Sequence, residues 1–116
     1  MRVLIDESLP VELAEELPFE NTSTVRQQGW LGLRNGVLLR ADVAAGFTTI
    51  VTADGALKYQ QNLKKIGIAA IVLRVRNRIE DLRPFIPRIA AAIPHLGPGD
   101  VTEIGAREDP PSFPPS

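Results

Sequence analysis

The chain has 116 residues, with 13 Lys and Arg against 14 Asp and Glu, a net charge of −1, 44% hydrophobic residues and a mean hydropathy of +0.01. That is the size of one ordinary globular domain, with no room for a second. Cysteine is absent and His95 is the only histidine, which excludes disulfides, thiolate metal sites and multi-histidine zinc sites, so a metal would have to sit on oxygen ligands.

The balanced charge leaves no whole-molecule nucleic-acid footprint, although a local patch can still exist. The apolar stretch of MRVLIDE is too short for a signal peptide, and no run approaches the ~18 apolar residues of a membrane helix. A soluble cytoplasmic protein is the expectation, with no membrane partner.

Taken in chain order, Arg2 to Ile5 read as a short apolar strand that stops at Asp6 and Glu7. SLPVELAEEL reads as a helix with Ser8 at its N-cap and Pro10 in its first turn. Leu9, Leu13 and Leu17 recur every four residues and should face the core. Asn21 to Val25 is β-prone, the loop QQGWLGL follows, and NGVLLRADVAAG reads as a helix capped by Asn35 and closed by Gly46. On that helix Asp42 reads as a solvated or locally paired side chain. Thr49 to Thr52 forms a β-branched strand followed by Asp54, so a strand ending in an acid occurs twice.

ALKYQQNLKKIG reads as a helix whose polar residues Tyr59, Gln60, Gln61 and Asn62 share a face. IAAIVLRVR reads as a buried strand emerging at Arg74 and Arg76. In RIEDLRPFIPRIAAAI, Ile79, Leu82, Ile86, Ile89 and Ile93 mark one apolar helix face; the prolines predict a first turn over 79–83 and a main helix begun by Pro84. DVTEIG can add a last strand. The domain is expected over 1–105, with a proline-rich tail over 106–116. This alternation of strands and helices predicts an α/β fold, a mostly parallel sheet with helices on both faces.

In such sheets ligands bind beyond the carboxyl ends of the strands. Asp6 and Asp54 are both placed there, and on neighbouring strands, about 4.8 Å apart, they can share one Mg2+ or Mn2+, with Glu7 as a third ligand or a helix-start acid. Against this stands the reading of both Asp residues as turn and helix caps. Arg74, Arg76 and Arg78 leave the fourth strand near the same edge and suit phosphate, or else pair with Glu80 and Asp81. Trp30 suits base stacking or a lid over the core, and His95 reads as surface.

The stretches VLIDESLP, RNGVLLRADVAAGF, IVTADGALKYQQN and RNRIEDLRPFIP together resemble small prokaryotic PIN-like domains, over nearly the whole chain up to about Gly105. The resemblance implies a three-layer α/β/α sandwich and a magnesium- or manganese-dependent ribonuclease. Many members are toxins of toxin–antitoxin pairs, so it also implies RNA and an antitoxin-like protein as partners, with a homodimer as a further expectation. Asp6 matches the first-strand acid of such sites and Asp54 the acid that follows the TxD strand end.

Where members carry an acid at the start of the middle helix, this chain has Asn35, Gly36 and Val37. Two places beyond Asp54 it has Ala56 rather than a second acid. Asn35 can position a water but brings no charge. Two readings follow: a one-metal nuclease using Asp6, Asp54 and Asn35, or a scaffold that binds RNA or a protein without cutting. A phosphoryl-accepting receiver domain fits less well, because no lysine follows the last strand. A haloacid-dehalogenase-type phosphatase lacks its second Asp two places after Asp6.

Overall fold

A computed structural model describes residues 2–33, 35–55 and 62–105. Five strands, β1 (Val3–Ile5), β2 (Thr22–Thr24), β3 (Thr49–Thr52), β4 (Ala69–Leu73) and β5 (Val101–Ile104), form one sheet of order β2-β1-β3-β4-β5, parallel throughout. Such pairing requires crossovers, and the helices that make them cover both faces. The expected three-layer α/β architecture is the one observed, and the DVTEIG segment supplies its fifth strand.

The pleat sorts the strand residues. Val3, Ile5, Val51, Ile71 and Leu73 point to one face, where they meet Leu9, Leu13, Leu17, Leu82, Ile89 and Ile93. These come from the turn before α1 (Glu12–Glu16), from α1 itself and its end, from α5 (Ile79–Leu82) and α6 (Ile86–Ala92), and from the 3-10 turn after it, Ile93–His95. Leu4, Ile50 and Ala70 point to the other face, against Val25, Leu38, Leu39, Phe47, Leu63 and Ile68. That layer consists of α2 (Val25–Gln28), α3 (Asn35–Ala44) and α4 (Leu63–Ile66). The four-residue spacing of Leu9, Leu13 and Leu17 and the Ile79 to Ile93 face both turn inward as their periods predict.

Boundaries move where local hydrogen bonds compete. Helix α1 starts at Glu12 rather than at Ser8, because the Ser8 hydroxyl donates to Asp6 instead of capping. Pro84 lies in a 3-10 turn, Arg83–Phe85, and the main helix begins at Ile86 with Pro87 in its first turn, since proline's missing N–H is tolerated only there. In the QQGWLGL loop, Thr24 and Gln27 form a reciprocal capping box around α2 (3.0 and 2.9 Å). At the opposite edge of the sheet the Arg2 guanidinium lies 4.3 Å from the Phe47 ring centre and donates to the Ala45 carbonyl, closing the C-terminal end of α3.

Where β5 ends, Gly105 adopts φ +146° and lies so close to the end of β4 that a Cβ would stand 2.6 Å from the Arg74 carbonyl oxygen and 2.8 Å from Val75 Cγ2. Only glycine fits there. Gly105→Ala is therefore expected to destabilise the fold by about 1–3 kcal/mol, lowering the melting temperature by roughly 4 °C or more; an unchanged melting curve would contradict the close approach.

Candidate functional site

β1 lies between β2 and β3, paired in parallel with both, and Ile5 stands opposite Val51. One residue further on, the Asp6 N–H donates to the Val51 carbonyl (2.9 Å), so Asp6 continues the ladder at the carboxyl end of the sheet. Its carboxylate is held from two sides. The Ser8 hydroxyl donates to Oδ2 at 2.7 Å and the Thr52 hydroxyl donates to the same oxygen at 3.0 Å.

Thr52 Oγ1 also accepts the Asp54 N–H at 3.0 Å, and Ser8 Oγ accepts the Ala53 N–H at 3.2 Å. Two hydroxyls thus join the end of β1 to the end of β3. The expectation that Asp6 and Asp54 belong to adjacent strands at one edge is met. The Asp54 side chain is exposed, whereas Asp6 is half-buried.

Asp42 departs most from its sequence reading. It is 0% exposed, and neither carboxyl oxygen has a hydrogen-bond partner among the described residues. Its helix turns Leu38, Leu39 and Asp42 toward the sheet at helical spacing, while Val37, Arg40 and Val43 face outward. Burial pushes the Asp42 carboxyl up to about 8, and the negative charge of Asp6 adds to the rise. Asp42 is therefore a neutral acid at pH 7, not a solvated or locally paired side chain. Among the described residues no basic side chain pairs with either Asp6 or Asp42.

The remaining candidates divide. Glu7 is exposed, and its Oε1 accepts the Gly32 N–H at 3.3 Å, tying the loop after α2 to the sheet edge. Asn35 opens α3, but its side chain falls outside the described residues, as do Ala56 and the polar residues Tyr59 to Gln61. Arg74, beyond β4, pairs with Glu103 of β5 at 3.0 Å. Arg78 makes only long, exposed contacts with Glu80 (3.6 Å) and Asp81 (3.8 Å), and Arg76 has no ion pair among the described residues. A recess of about 400 Å3 lies beside Asp54, lined by Ala53, Gly55, Leu73, Arg74, Val75 and Asn77. Trp30 is half-buried edge-on to Phe47, 6.1 Å between ring centres, so it covers the core, and His95 is exposed.

Among the described residues no three acidic or imidazole side chains stand close enough to hold a metal between them. The donor set nonetheless suits a hydrated hard cation: oxygen only, one carboxylate fixed by hydroxyls, and an orphaned carboxyl behind it with no protein cation to balance the charge. No helix of the described residues is long and apolar enough to cross a membrane. Comparison of the chain with protein-family models, with curated proteins and with solved structures gives no match.

Two outcomes follow from the hydroxyl links and the buried acid. Thr52→Val leaves Asp6 with one hydroxyl donor and the Asp54 N–H without its acceptor; it is expected to destabilise the protein by about 1–2 kcal/mol in urea unfolding, and no loss would show the link to be idle. For Asp42 the unfolded chain releases its proton near 3.8 and the folded protein holds it up to about 8. The unfolded state therefore binds fewer protons throughout that window, and stability falls as pH rises from about 4 to about 8. With divalent ions chelated, Asp42→Asn should remove that component, gaining roughly 4 kcal/mol on the wild type between pH 4.5 and 8; parallel pH profiles would place Asp42 in water.

Proposed function

We propose that the chain is a PIN-like, metal-dependent ribonuclease, of the kind found as the toxin of toxin–antitoxin pairs, with a reduced acidic site. The observation that carries this reading is the hydroxyl-held Asp6 carboxylate at the carboxyl edge of a parallel sheet, linked through Thr52 to Asp54 and lacking any cationic partner among the described residues. In the sheet order, β1 and β3 sit side by side, where the connections leave toward opposite faces. Asp6 and Asp54 would hold Mg2+ or Mn2+, with Glu7 and Asn35 at its water shell. A bound ion would supply the polarisation of a phosphate oxygen and a more acidic water.

The chain's own residues do the rest. Ser8 and Thr52 fix Asp6 in one orientation, and because both donate to Oδ2 they leave Oδ1 outside both hydrogen bonds. Asp42, whose carboxyl burial and the Asp6 charge push up to about 8, adds little further negative charge to the site at neutral pH. Arg74, Arg76 and Arg78 stand beyond β4 on the same edge and are exposed, which suits the phosphates of a strand lying across the ends of β3 and β4. Arg76, without an ion pair to give up, is the readiest of the three.

The absence of a third close acid among the described residues favours a second reading, a PIN-like scaffold that binds RNA or an antitoxin-like protein without cutting. One experiment separates the two. Manganese is titrated calorimetrically into the wild type and into the Asp6→Asn, Asp54→Asn double variant, and both are then given single-stranded RNA. The nuclease reading expects saturable binding lost in the variant and cleavage reduced roughly 100-fold or more by Asp6→Asn alone. Equal, negligible heats with no cleavage would leave the scaffold.

A further inference from the structure

On the β2 side of Asp6, away from Asp54 and the arginines, the edge opens into a second recess of about 270 Å3. Its apolar wall consists of Leu9, Pro10, Val11 and Leu31; its polar residues are Asp6, Glu7, Thr24 and Arg26. Val11 is 47% exposed and Leu31 46%, so two of the four exposed large hydrophobic residues among those described stand on the rim of one small hollow. Leu31 is held there because the next N–H, that of Gly32, donates to Glu7. The second Glu7 oxygen and the Arg26 guanidinium have no hydrogen-bond or ion-pair partner among the described residues.

These features define the occupant. A volume just under the ~300–1,000 Å3 of drug-sized ligands suits a single heterocycle. Two carboxylates in the lining against one guanidinium disfavour a phosphate, and the exposed aliphatic walls favour a flat apolar face with a polar rim. We propose that this recess is a nucleobase subsite, which seats one base of an RNA strand beside Asp6 while the backbone passes toward Asp54 and Arg74. The inference rests on the nuclease reading and adds a preference to it. A carboxylate only accepts hydrogen bonds, and the sole base donor of uridine, N3–H, is flanked by two carbonyl oxygens that a carboxylate repels, so Glu7 favours bases that carry an exocyclic amino group.

The test uses free nucleosides, which need neither a metal nor a scissile bond. Adenosine, cytidine and uridine are titrated into the 15N-labelled protein in the presence of a chelator, following the amides of Arg26 and Gly32. Adenosine and cytidine should move both amides, with uridine roughly 10-fold weaker. Leu31→Ser should weaken adenosine about 10-fold, whereas Glu7→Gln, whose amide can both donate and accept, should retain binding and lose the preference. Shifts that survive Leu31→Ser, or no shift with any nucleoside at millimolar concentration, would overturn the subsite. So would movement of the same amides by an arginine-containing peptide alone, which would assign the recess to a protein partner. Because manganese binding is measured separately, a failed nucleoside titration leaves the nuclease reading standing, and nucleoside binding without manganese binding would remove cleavage but keep the subsite.

Discussion

The hydrogen bond from the Thr52 hydroxyl to Asp6 Oδ2, 3.0 Å long, exists only because β1 and β3 pair in parallel with Ile5 opposite Val51. A slip of one residue would turn Thr52 to the other face of the sheet and bring Val51 to the carboxylate. The register is fixed in turn by the two apolar layers, since Leu4 and Ile50 can be buried against α3 only if Val3, Ile5 and Val51 are buried against α1 and α6. The geometry at the edge is thus a by-product of packing a few residues below. It also explains why Ser8 serves the acid rather than a helix: the turn between β1 and α1 passes directly over the end of β3, where Oγ finds both a carboxylate and the Ala53 N–H.

Much of this is legible from the residues alone. The apolar runs of β1, β3 and β4, the β-branched Thr49 to Thr52 and the three-or-four spacing from Ile79 to Ile93 each carry their own period, and parallel pairing follows from the crossovers. What is not legible depends on contacts distant in sequence. Strand order places β1 beside β3, which the sequence only permits. Asp42 is hidden because α3 has apolar residues all round: Val37 and Val43 point outward while Leu38 and Leu39 point inward. With only Arg40 among those valines to mark the outside, an acid two residues further along that helix gives no sign of which way it turns. Pro84 and Pro87 each suit a first turn, and three-dimensional packing of Ile86 and Ile89 decides between them.

Asp42 places a destabilising group inside an otherwise apolar layer. A buried carboxyl without a partner is costly, and a Leu or Ala at the same position would satisfy the layer around Leu39 and Phe47 more simply. Its presence within the field of Asp6 makes the interior behind the sheet edge responsive to positive charge that arrives at the edge from outside. A cation arriving there would favour the ionised carboxylate, whereas a fall in pH would keep the carboxyl neutral.

The sheet also ends in two open edges. β2 offers three residues, and the hydroxyls of Thr22 and Ser23 bond locally, to Phe19 and Gln27. β5 is the longer edge, with apolar Val101 and Ile104 around a single charge, Glu103, which Arg74 holds in place. Through that ion pair the charged residue of β5 is tied to the end of β4, so the last two strands are joined by side chains as well as by the backbone ladder.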